Sequence, residues 1–122
     1  MPLHDFIDDL SPAIDTMETK NVLTFLTDDC VLQPGNQDSV RGTEAVAEVF
    51  DSLYASIHSI KHTIDDKFAV DDTAVYRGRV SYRRMDDSDL TVPFCDVFKV
   101  RDGKIAEYFI YIDWHELFSV KL

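Results

Sequence analysis

Hydrophobic positions recur along this chain with two periods, and the change from one to the other divides it. Over Asp5 to about Glu18, Phe6, Ile7, Leu10, Ile14 and Met17 fall at spacings of three, four and seven, the stripe of an amphipathic helix. Asp5, Asp8 and Asp9 occupy its first turns, where the helix dipole favours negative charge, and read as a solvated face. Pro12 either kinks this helix or marks its start, with Ser11 as the cap. A second short helix is expected from Asn21 to Leu26, ended by Asp28-Asp29. A short strand follows over Cys30 to Gln33, closed by Pro34-Gly35, and Pro34 to Val40 is rich in turn formers. Thr43 makes a good N-cap for a third helix from Glu44 to about Ile57, with Val46, Val49, Phe50, Leu53 and Ile57 on its apolar side and Tyr54 at the edge.

From Ser59 onward the period is two. Ile60, His62 and Ile64 alternate with Lys61, Thr63 and Asp65, and after Asp71-Asp72 the residues Ala74, Tyr76, Gly78, Val80 and Tyr82 share a face. Met85 to Asp89 is a polar turn. Val92 to Asp113 then holds two β-rich runs around Asp102-Gly103, the strongest local signal for a hairpin. Trp114 to Leu122 either continues the last strand or covers the mouth of the barrel. Helices first and antiparallel strands later predict an α+β fold, a curved sheet with helices on one side.

One residue breaks the second pattern. Val92, Phe94, Asp96, Phe98 and Val100 share one face, and a carboxylate stands in the middle of that apolar row. Burying an ionised carboxylate alone is costly, so Asp96 is either bonded to a neighbour or water, or faces a pocket with its pKa raised. By the same alternation His62, Tyr76 and Tyr108 lie on the apolar faces of their strands. If these faces all point into one hollow, an imidazole, a carboxyl and two phenols meet in an apolar cavity, the usual form of a ligand site. An imidazole exchanges protons near neutrality, and a carboxyl or phenol can stabilise a developing oxyanion. That set suits enolisation, dehydration or cyclisation with neither a metal nor an organic cofactor. The competing reading is a core histidine and a core aspartate bonded to the protein around them.

Composition narrows the partners. At 122 residues the chain suits one domain, residues 1–122, without repeat or linker. Its formal net charge of -11 repels phosphates and anionic lipids, so neither nucleic acid nor membrane is an expected partner. No apolar run approaches the roughly 20 residues of a membrane-spanning helix, and no signal peptide is visible at the N-terminus. Cys30 and Cys95 are too few for a disulfide framework and show no zinc spacing; they fit small apolar positions in a reducing compartment, the cytoplasm, with one bridge between them as the alternative.

The order of elements and three stretches carry a family resemblance. Phe25-Leu26-Thr27-Asp28-Asp29-Cys30-Val31, Val40-Arg41-Gly42-Thr43-Glu44-Ala45-Val46 and Asp96-Val97-Phe98-Lys99-Val100-Arg101-Asp102-Gly103-Lys104-Ile105 resemble the SnoaL-like branch of the nuclear-transport-factor-2-like superfamily. The resemblance covers nearly the whole chain. It implies a cone-shaped, mainly antiparallel sheet wrapped around three N-terminal helices, and a homodimer through the outer face of the sheet. There, Arg77, Arg79, Arg83, Lys99 and Glu107 mix with Val75, Val97, Phe109 and Tyr111. It does not imply one activity, because relatives include ketosteroid isomerases, polyketide cyclases, limonene epoxide hydrolases, scytalone dehydratases and non-catalytic modules.

Asp96 matches the isomerase carboxylic acid that stays protonated and donates to an oxyanion. Gln33, before Pro34, stands where the isomerase has its basic Asp, and the first helix lacks the isomerase's Tyr. Ile110 replaces the last-strand acid of cyclases and epoxide hydrolases in Phe109-Ile110-Tyr111-Ile112-Asp113, and Arg79-Val80-Ser81 lacks the Asp of the hydrolase's Arg-x-Asp pair. His62, Tyr54, Tyr76, Tyr108 and Asp96 are the side-chain types that scytalone dehydratase uses, without its diagnostic motif.

The resulting expectation is a pocket for a small apolar molecule, with Asp96 and His62 handling protons. Tyr54, Tyr76, Tyr108, Phe94, Phe98, Ile110, Gln33 and Phe50 are expected to shape it. The alternative is a non-catalytic ligand-binding or dimerisation module of the same fold.

Overall fold

The computed structural model describes residues 7–119. A helical turn at residues 7 and 8 leads into α1, Leu10–Asp15. The interruption between them falls where Pro12 has no N–H to give the carbonyl four residues back. Asp9, not Ser11, holds the N-cap position, and Ile7, Leu10 and Ile14 are buried as the stripe predicts. Part of the expected first helix, residues 5 and 6, lies outside the described residues. The Asp8 carboxylate is not simply solvated: it accepts hydrogen bonds from Lys67 Nζ and the Tyr76 hydroxyl, each at 2.9 Å.

Helix α2 runs Thr19–Leu23, earlier than expected, because the chain turns at Val22–Phe25 and enters strand β1 at once. Strand β1 spans Leu26–Pro34. Asp28 and Asp29 therefore do not end a helix; they sit exposed in an irregularity of β1, where its register against the last strand shifts. After the two-residue strand β2, Val40–Arg41, helix α3 covers Thr43–Ala55. Its N-cap position is Gly42 rather than Thr43, and the Gly42 carbonyl accepts the Val46 N–H at 3.0 Å.

The period-two half of the chain forms β3 (Ile57–Val70), β4 (Thr73–Arg84), β5 (Asp89–Arg101) and β6 (Lys104–Ile112). The sheet order is β2-β1-β6-β5-β4-β3. All pairs are antiparallel except β1 with β6. Asp102 and Gly103, both at positive φ, join β5 to β6 as the Asp-Gly pair predicts. In β3 the register shifts between Ile64 and Asp66, and Gly78 lies against that bulge. A Cβ on Gly78 would fall 1.9 Å from the Thr63 carbonyl oxygen, so the bulge requires a residue without one.

The sheet curls around the helices and remains open at its two edge strands, β2 and β3. Its concave face is filled by a row of rings. Tyr76 meets Phe98 edge-on at 5.5 Å, Phe98 meets Tyr108 at 4.8 Å, Tyr108 meets Phe50 at 6.4 Å and Phe50 meets Tyr54 at 6.1 Å. Much of the interior is thus solid. On the outer face Val75, Val97 and Phe109 are half-buried and Tyr111 is 57% exposed. Arg77 and Arg79 there pair with Asp66 and Asp65 of the same chain. The chain after β6 does not extend the strand. It turns back at Trp114 into a 3-10 turn, Leu117–Ser119, that buries Leu117; residues 120–122 lie outside the described part.

Candidate functional site

Strand alternation puts Asp96 on the concave face of β5, between Tyr76 of β4 and Ile110 of β6. It is the one buried charged residue among those described, with 5% of its surface exposed. Its Oδ1 has no hydrogen-bond partner among the described residues. Burial alone pushes its pKa well above the ordinary 3.8, because a carboxylate there would lose its hydration with no cation to replace it. A carboxyl in its protonated form is a hydrogen-bond donor as well as an acceptor.

The hollow beside Asp96 has a volume of about 20 Å³. That is the scale of one water molecule, far below the roughly 300–1,000 Å³ of ligand pockets. Phe50, His62, Phe94, Tyr108 and Ile110 line it with Asp96. His62 and Asp96 therefore share one cavity. His62 stands edge-on to Phe94 at 5.4 Å.

His62 is held by a residue that no sequence pattern marked. Asp15, at the end of α1, places Oδ1 2.6 Å from His62 Nδ1, while its Oδ2 accepts the His62 backbone N–H at 3.0 Å. One carboxylate thus grips both the ring and the strand beneath it. In the neutral ring this places the hydrogen on Nδ1 and the lone pair on Nε2. Two further aromatic residues complete the wall. Tyr82, 3% exposed, accepts a hydrogen bond from the Trp114 indole at 2.9 Å. Burial raises the pKa of Tyr82 and of Tyr108, and the nearby Asp96 adds to both shifts. Tyr82 was legible as the next inward position after Val80; Trp114 and Asp15 had no periodic signal.

Four expected pocket residues do other work. The Tyr54 hydroxyl donates to the Ile14 carbonyl at 2.8 Å and ties α3 to α1. The Tyr76 hydroxyl donates to Asp8, away from the cavity. Phe98 is buried between Tyr76 and Tyr108 and does not reach the hollow. Gln33 turns its Nε2 to the carbonyls of Gly35, at 3.1 Å, and Gln37, so it fixes the loop after β1. Alternation assigns a side chain to a face; it does not assign the partner its polar end finds.

Comparison with known proteins agrees with this architecture. An NTF2-like protein of unknown function from Burkholderia pseudomallei superposes with a TM-score of 0.84 at 14% identity, over 93% of this chain and 92% of that one. An epoxide hydrolase of Mycobacterium tuberculosis, described as LEH-like, gives 0.77 at 18% identity, over 93% and 84%. The protein TerC, co-crystallised with polyporic acid, gives 0.82 at 15% identity, over 93% and 95%. At these identities the likeness shows a shared fold. No curated protein sequence matches the chain. The family described as SnoaL-like domain matches from residue 5 to residue 108, most of the molecule, and the chain belongs to that family.

Proposed function

We propose that this protein binds a small, largely apolar carbonyl or hydroxyl compound and moves a proton on it with its own side chains. The observation that carries the reading is the buried Asp96 carboxyl, whose Oδ1 has no partner among the described residues, in the same cavity as the Asp15-held His62. Asp96, protonated, donates a hydrogen bond to the substrate oxygen. His62 Nε2 accepts the proton from the carbon next to the carbonyl, and charge passes to the oxygen that Asp96 holds. The enol so formed has three outcomes. His62 can return the proton at another carbon, a hydroxyl can leave as water, or the carbon can attack a second carbonyl. These are isomerisation, dehydration and cyclisation. Asp15 keeps the ring in the tautomer that leaves Nε2 basic. The epoxide hydrolase neighbour and the neighbour crystallised with polyporic acid support a small-molecule site on this scaffold.

The second reading is a non-catalytic ligand-binding module, and the small volume beside Asp96 favours it. One experiment separates the two. The protein is incubated in D2O with a panel of neutral cyclic ketones, and loss of the α-proton signal is followed by NMR. Exchange in the wild type that falls by about 100-fold or more in His62→Ala supports the proton-transfer reading. Binding without exchange supports the module.

We also infer a homodimer through the outer sheet face, supported by the exposed Tyr111 beside half-buried Val97 and Phe109. Both cysteines are free, and we infer from this a reducing compartment such as the cytoplasm. No helix among the described residues is long and apolar enough to cross a membrane.

A further inference from the structure

The Asp96 hollow is too small for any organic molecule, yet one of its walls is thin. Leu53 and Trp114 line it, and the same two residues line a second, larger groove of about 430 Å³ on their other side. That groove lies between α3 and the segment after β6, with Val40, Val49 and Phe118 as apolar surface and Ser52 and Ser56 among its polar groups. Its volume falls within the range of small-molecule sites. We propose that this groove seats the body of the ligand and that the Trp114 indole is the door between it and the Asp96 hollow. The inference rests on the reading of Asp96 and His62 as the polar end of the site.

Three observations carry it. Trp114 lies outside regular structure, two residues past the end of β6 at Ile112, so moving its side chain breaks no sheet bonds. Among the described residues its indole N–H bonds to the Tyr82 hydroxyl, its ring meets Phe118, itself 45% exposed, edge-on at 5.7 Å and lies beside Gly35 against the core, and its carbonyl accepts the Phe118 N–H at 3.2 Å. Tyr82 faces the hollow, so a ligand's polar end can replace the indole as its hydrogen-bond partner when the door opens. The same chemistry specifies the occupant. The groove sets Val40, Val49, Leu53 and Phe118 beside Gln37, Glu48, Ser52 and Ser56, and both the Glu48 carboxylate and the chain's formal charge of -11 disfavour anions. The ligand is a non-anionic molecule with an aromatic or aliphatic body and one hydrogen-bonding end.

Trp114 is the protein's only tryptophan, so the door carries its own reporter. The probe is N-phenyl-1-naphthylamine, a neutral apolar dye that absorbs where tryptophan emits and brightens out of water. The wild type should show energy transfer from Trp114 to the dye, with a binding rate that levels off at high dye because opening limits it. Trp114→Phe, which keeps a ring but loses both the Tyr82 bond and the energy donor, is followed by the brightening of the dye itself and should raise that plateau about tenfold. Val49→Trp, which fills the groove on α3 away from Asp96, should weaken dye binding about tenfold while circular dichroism stays unchanged. Absence of dye binding to the wild type, or binding whose rate and affinity ignore both substitutions, overturns the proposal. Neither outcome touches the ketone exchange at His62, which tests the proton-transfer reading separately.

Discussion

The Nδ1 of His62 and the Oδ1 of Asp15 lie 2.6 Å apart although 47 residues separate them along the chain. The contact joins the end of the first helix to the middle of the edge strand β3. It gives Asp15 two tasks: orienting the ring, and satisfying the backbone N–H of the same residue.

Those tasks can be separated by substitution. Asp15→Ala should lower folding stability by about 1–3 kcal/mol, the ordinary cost of leaving a buried donor unpaired. Asp15→Asn keeps an acceptor for the backbone N–H and should recover most of that loss in urea unfolding. Its amide cannot hold the ring as a carboxylate does, so ketone exchange should still fall about tenfold or more. Equal exchange in Asp15→Asn and wild type would refute the orienting role.

Asp96 should leave a signature in the pH dependence of stability. Its folded pKa is raised by burial, so above pH 4 the folded state keeps a proton that the unfolded state has released. Stability therefore falls as pH rises, from the ordinary carboxylate value up to the raised one. Asp96→Asn lacks this linkage. The stability difference between variant and wild type should shift toward the variant by about 1.4 kcal/mol for each pH unit in that window. Parallel curves in chemical denaturation across the whole range from pH 4 to pH 8 would contradict it.

Tyr54→Phe tests the reassignment of a residue expected in the pocket. Loss of its hydrogen bond to the Ile14 carbonyl should cost about 0.5–1.5 kcal/mol and leave ketone exchange unaltered, since the hydroxyl ties two helices together.

Gly78→Ala should be among the most damaging small changes in the sheet. The added methyl meets backbone rather than a movable side chain, 1.9 Å from the Thr63 oxygen, and strand β3 must shift. A loss of about 1–3 kcal/mol or more is expected, read as a lower urea midpoint.

Tyr111→Glu tests the outer face. If two copies pair there, placing a charge at this exposed apolar position should convert the dimer to monomer in sedimentation velocity, with the fold intact by circular dichroism. A wild type that sediments as a monomer at all concentrations would remove the inferred interface.

The alternation of apolar and polar residues was enough to place β4, β5 and β6, their Asp-Gly turn, and the inward direction of Asp96, His62 and Tyr108. Those features depend on a two-residue repeat and one turn type, which are local properties of the chain. The ends of the second and third helices differ from the expected ones by one to three residues, because Gly42 takes the cap position expected for Thr43 and β1 starts before Asp28-Asp29, the pair expected to end the second helix.

The tertiary structure decided what the inward side chains meet. Tyr76 and Tyr54 face inward as their patterns say, yet the folded helices offer Asp8 and the Ile14 carbonyl to their hydroxyls. Asp15 reaches His62 only because α1 lies across β3, and Trp114 closes the hollow only because the chain reverses after Ile112. Periodicity along a strand records which way a side chain points. The distance from its tip to a group far away in the chain depends on sheet curvature, bulges and the seating of helices, and no repeat in the sequence encodes those.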